Sequence, residues 1–100
     1  MKAVPASLTT FQAEVVDSTT PVCVVFGRAG SSATDRVLRE LEPTKVKVVF
    51  VDIDTSDGGQ IALSCGVRFS PSVSLYRNGL AEYCSFSRKG IPDYIVEALK

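Results

Sequence analysis

Residues 22–26, Val-Cys-Val-Val-Phe, form an unbroken apolar run of strand-favouring residues. Successive side chains of a strand point to opposite faces, so a strand with one wet face alternates apolar with polar residues. A run without alternation needs cover on both sides, which is the position of a central strand in an α/β sheet. This run therefore restricts the chain to a fold that can place helices on either face of one sheet.

The flanking patterns supply those helices. Ser7 or Thr9 can cap a helix whose apolar residues Phe11, Val15 and Val16 recur at helical spacing, with an end near Asp17 before Thr19, Thr20 and Pro21. After the glycine- and serine-rich loop 27–32, Val37, Leu38 and Leu41 recur three and four apart before Pro43, predicting a second helix that starts around Ser32. Residues 46–53 read as another buried strand, and 54–59 as the turn after it. Ile61, Ala62 and Cys65 suggest a short helix closed by Gly66, followed by a loop through 67–71. Val73, Leu75 and Tyr76 lead into Asn78-Gly79, the commonest two-residue hairpin turn, and a return strand over 81–86. Residues 89–92 open a last helix, with Pro92 in its first turn and Ile91, Tyr94, Ile95 and Leu99 along one side. The resulting order predicts a mixed central sheet with helices on both faces, and residues 1–100 are expected to form one domain.

Charge and cysteine usage narrow the function classes. Eleven basic and eleven acidic residues cancel, so no net field draws in nucleic acid or an anionic membrane. Apolar stretches fall far short of the roughly 20 residues that span a bilayer, and the first residues lack the apolar core of a signal peptide. The odd count of three widely spaced cysteines, Cys23, Cys65 and Cys84, fits free thiols in a reducing compartment, and a cytoplasmic location is expected. With no histidine and no close cysteine pair, no metal site is expected, and no cofactor is implied.

The ordered motifs resemble those of the thioredoxin family along nearly the whole chain. Residues 11–16 resemble its first helix, 21–26 the strand before its active site, and 48–54 the strand ending in an acidic signature. Residues 66–72, Gly-Val-Arg-Phe-Ser-Pro-Ser, are similar to its G-[IV]-R-x-x-P-[TS] loop, and 75–79, Leu-Tyr-Arg-Asn-Gly, to its hairpin. The resemblance implies a thioredoxin-like three-layer α/β sandwich. It also implies that the Ser70–Pro71 bond is cis and presents the preceding backbone to an extended partner peptide.

The resemblance breaks at the chemistry. The family's W-C-G-P-C motif falls on Gly30, Ser31, Ser32, Ala33 and Thr34, so neither thiol position carries a cysteine. Its assisting buried acid falls at Val25, and its tryptophans fall at Gly27 and Gly30. Disulfide exchange needs a thiolate, and an alcohol ionises too weakly to replace it. Ser31 reads better as a helix cap than as a nucleophile, since no histidine is present to act as its base. Cys23 is expected to be an inert core residue, and Cys65 and Cys84 are read as structural. The arginines Arg28, Arg36, Arg68, Arg77 and Arg88 are read as a solvated face balanced by nearby acids.

The expected function is a redox-inactive module that binds a protein or extended peptide through Gly30, Ser31, Ser32, Ala33 and Thr34 on one side and Ser70, Pro71 and Ser72 on the other. The groove should select different partners from thioredoxin's, because Phe86-Ser87 stands where the family has Val-Gly-Ala and Gly90 arrives about two residues early. The alternative is a thiol-disulfide oxidoreductase, working through Cys65 or Cys84, or an active-site mutant of a dithiol enzyme altered at Ser31 or Thr34. A structural domain that dimerises through an exposed sheet edge or an apolar surface is a third class.

Overall fold

The computed structural model describes residues 4–5, 7–44, 46–67, 69–86 and 97–98. The unbroken apolar run becomes β2 (Val22–Gly27), buried at every position. It lies at the centre of a five-stranded sheet in the order β1 (Val4–Pro5), β3 (Lys47–Asp52), β2, β4 (Ser72–Arg77), β5 (Leu80–Phe86). β1 and β2 run parallel to β3, whereas β4 runs antiparallel to both β2 and β5, which makes the sheet mixed.

Alternation along β2 divides the core. Val22, Val24 and Phe26 join Val49, Val51 and Tyr76 on one face, where Val15, Ile61 and Ala62 cover them. Cys23 and Val25 join Val48, Val73 and Leu75 on the other face, beneath Val37 and Leu41. Two layers of cover thus explain a strand with no polar residue, and each fully buried side chain of this kind contributes about 1.5–3 kcal/mol relative to exposure.

The covering helices are α1 (Leu8–Phe11), continuing as one wider turn over Gln12–Val16, α2 (Ser32–Leu41) and α3 (Ser56–Ser64). Ser7 caps α1 through a reciprocal box with Thr10, and the segment ends at Asp17 as its spacing predicts. β4 and β5 are joined by Asn78 and Gly79, both at positive φ (52° and 78°), as the Asn-Gly pair predicts.

One expectation is corrected and one element is added. The turn read over 54–59 is shorter, because α3 begins at Ser56. Thr55 caps it by accepting a hydrogen bond from the Gly58 N–H at 3.0 Å, and Gly58 lies so close to the Asp52 carbonyl that a Cβ would collide with it. The glycines that read as a turn therefore allow the helix to seat against the end of β3. The short edge strand β1 was not anticipated, since two residues leave no periodicity to read. Of the last helix expected from 89–92 onward, only the helical residues 97–98 fall among the described ones. Ala98 packs against the α2-side cluster.

Candidate functional site

The two segments expected to form a binding groove lie at the same end of the sheet. β2 ends at Gly27, and a tight turn follows in which the Ser31 N–H donates to the Arg28 carbonyl at 3.1 Å before α2 starts. β4 is antiparallel to β2, so its first residue, Ser72, lies opposite Phe26. The Ser70–Pro71 peptide bond, immediately upstream, is cis. The register therefore brings the start of α2 and the Ser70–Ser72 segment to neighbouring strand ends.

The expected site residues differ in what they offer to solvent. Gly30 and Ser32 are exposed, and Ser31, Ala33 and Ser70 are half-buried. Thr34, Pro71 and Ser72 are buried, so their side chains shape the site from beneath. The Ser31 hydroxyl accepts a hydrogen bond from the Thr34 N–H at 3.4 Å, the capping role read from its sequence position. Thr34 packs against Gly27: a Cβ at position 27 would meet the Thr34 Oγ1 and approach its Cγ2 to 2.8 Å. The Thr34 hydroxyl itself is buried and has no hydrogen-bond partner among the described residues. The Ser72 hydroxyl donates to the Phe69 carbonyl, closing the loop before β4.

A half-open cavity of about 390 Å³ lies beside these segments and was not anticipated. Ile53, Ala62, Leu63, Val67 and Phe69 give it an apolar wall, and Arg28 and Ser70 stand at its polar edge. Ser70 is the one expected site residue that lines it; Gly30, Ser31, Ser32, Ala33 and Thr34 do not. Leu63 and Phe69 are 81% and 65% exposed, high values for large apolar side chains. No spacing rule could find the cavity, because the turns after β2 and β3, α3 and the loop after α3 contribute to it from separate stretches of sequence.

Cys23 is fully buried, and burial pushes its thiol up from 9.0 to about 12, which removes it from thiolate chemistry at neutral pH. Cys65 is half-buried at the end of α3, with Sγ 3.3 Å from the Tyr76 hydroxyl. Cys84 lies on β5, and its side chain falls outside the described residues. Arg28 and Arg36 pair with Asp54 and Glu40 on an exposed face, whereas Arg77 departs from the solvated reading: it is part-buried, pairs with Glu82 and donates to the Ala98 carbonyl; Arg68 and Arg88 lie outside the described residues. Among the described residues, no cluster of three or more His, Cys, Asp or Glu side chains could hold a metal ion.

No protein-family model matches the chain, and no curated protein matches it in sequence. Solved structures do resemble it. Thioredoxin f2 of Chlamydomonas reinhardtii superposes with a TM-score of 0.77 at 18% identity, over 98% of this chain and 94% of that one. The long form of thioredoxin f from spinach chloroplast gives 0.78 at 15% identity, over 98% and 84%. The thioredoxin of Malassezia sympodialis gives 0.75 at 21%, over 98% and 88%. The chain thus has an α/β, thioredoxin-like fold, and at these identities the likeness concerns the fold alone.

Proposed function

We propose that this chain is a redox-inactive binding module of thioredoxin-like fold that takes an extended protein segment at the end of the sheet where α2 starts and β4 begins. The observation that carries the reading is the packing at the start of α2, where no cysteine stands. Ser31 is engaged as a cap and Thr34 is buried against Gly27, at the positions that the family motif assigns to its two thiols. With no cysteine at the start of α2, that loop holds no attacking group for a disulfide, and the adjoining backbone and small side chains still offer a surface. Gly30, Ser32, Ala33 and Ser70 would supply the contact, with Pro71 and Ser72 fixing the loop. The partner is a protein or extended peptide, no cofactor is required, and the compartment is the reducing cytoplasm.

Insulin-disulfide reduction with a chemical electron donor tests the absence of redox activity, run on the wild type beside Cys65→Ser and Cys84→Ser. The expected rate equals that of the donor alone for all three proteins. A rate above it that disappears with Cys65→Ser or Cys84→Ser would make the chain an oxidoreductase through that thiol. The binding reading is tested separately by titrating peptides against Ala33→Arg, which crowds the groove from a half-buried position. Affinity that is indifferent to this change would remove the groove as the contact surface.

A further inference from the structure

Resting on that reading, we infer that the cavity on the α3 side selects the bound segment, accepting one bulky apolar side chain that is flanked in the peptide by a carboxylate. Ser70 links the two surfaces: it precedes Pro71 in the proposed groove and also lines the cavity. Among the described residues none hydrogen-bonds its backbone, so an extended segment can pair there in the manner of an added strand. Side chains of such a segment alternate in direction, so one of them is directed at the cavity.

The chemistry of the walls specifies that side chain. Among the described residues that line it, Arg28 is the one ionisable group, and the volume of about 390 Å³ is ample for one aromatic ring or a branched aliphatic chain. Leu63 and Phe69 are large apolar residues on its wall that are exposed, and an apolar side chain in the cavity would cover part of that surface. A cationic side chain there would lose hydration with no acidic partner among the described lining residues.

Arg28 specifies the flanking group. Among the described residues its guanidinium meets only Asp54, through Nε at 3.5 Å, and the two side chains are 64% and 62% exposed. A pair that wet is weak, and most of the guanidinium's five N–H donors remain available to a carboxylate from the peptide. The complementary ligand is therefore an apolar residue next to Asp or Glu.

The experiment titrates the full chain into fluorescein-labelled Gly/Ser peptides centred on Phe-Glu, Ala-Glu or Phe-Lys, read by anisotropy. Wild type, Leu63→Glu, Arg28→Ser and Ala33→Arg are compared, with circular dichroism confirming that each variant is folded. The Phe-Glu peptide is expected to bind most tightly, with Ala-Glu about tenfold weaker or more and Phe-Lys about threefold weaker. Leu63→Glu should weaken Phe-Glu by about tenfold, and Arg28→Ser should erase the Glu-over-Lys preference while keeping that for Phe. Equal affinity for Phe-Glu and Ala-Glu, with loss on Ala33→Arg, would overturn the cavity's role and leave the groove standing. Absence of binding by every peptide would overturn both. Self-association abolished by Leu63→Glu would instead assign the face to a second copy of the chain and overturn the peptide as its occupant.

Discussion

The Thr34 hydroxyl is buried against Gly27 without a partner among the described residues, and an unpaired buried hydroxyl costs about 1–3 kcal/mol. Thr34→Val keeps the shape and removes the polar atom, so its urea midpoint should rise, by about 1 kcal/mol of stability. Gly27→Ala should do the reverse, losing about 1–3 kcal/mol because its Cβ meets the Thr34 side chain. In a Thr34→Ala background that loss should largely vanish, and a double-mutant cycle of unfolding free energies measures the coupling. Cys23 makes a pH-dependent contribution. Its thiol is neutral in the fold up to about 12, whereas in the unfolded chain it ionises near 9.0. Between these values the folded state holds more protons, so stability is full below pH 9 and falls as pH rises toward 12, by about 1.4 kcal/mol per pH unit. The difference in stability between wild type and Cys23→Ala, followed from pH 8 to 11, should show this slope. At this scale the sequence revealed the local facts and not the remote ones. Ser31 was legible as a cap because its partner is three residues away, but the burial of Thr34 depends on Gly27, a contact made only when β2 and α2 pack.

Elements were legible where one stretch of chain carried its own signal. β2, α2 and the Asn78-Gly79 hairpin each follow from an apolar run, a helical spacing or a turn pair, and they occupy the residues those signals mark. The start of α3 was misread because Gly58 and Gly59 look like turn residues. Their helical use becomes visible only with the Asp52 carbonyl in place against Gly58. The candidate site divides in the same way. Its two loops were readable as motifs, and the cavity beside them was not, because Arg28, Ile53, Leu63 and Phe69 meet only in the folded chain. Caps give a test at this scale. Thr55 accepts the Gly58 N–H at 3.0 Å and Ser31 accepts the Thr34 N–H at 3.4 Å, so the first is the better-formed cap. Thr55→Ala should lower stability by about 1 kcal/mol and Ser31→Ala by less, as measured by denaturant midpoints. The Asp57 carboxylate also accepts the Leu8 N–H at 3.1 Å, tying the first turn of α3 to α1. Loss of the Thr55 cap should therefore raise amide exchange in α1 as well as in α3.

The molecule is organised around one strand shared by two cores. Alternate residues of β2 enter opposite clusters, so α2 and the α1–α3 layer both need the same backbone in the same register. A one-residue slip of β2 would send every side chain to the wrong face, but since both faces are apolar the sequence of β2 alone does not forbid it. Register must be held by the neighbours: β3 aligns from Lys47 with Val22 to Asp52 with Gly27, and Thr34 fits only over Gly27. Damage on one face should then be felt on the other. Leu41 is fully buried in the α2-side cluster, and Leu41→Ala should cost about 2–5 kcal/mol. Were the two cores independent, hydrogen exchange would accelerate only beneath α2. With β2 common to both, amides at the end of α3, such as that of the capping residue Cys65, bonded to the Ile61 carbonyl, should lose protection by the same free energy as those of α2. Unequal losses would show that the groove end can open from one face while the other stays packed.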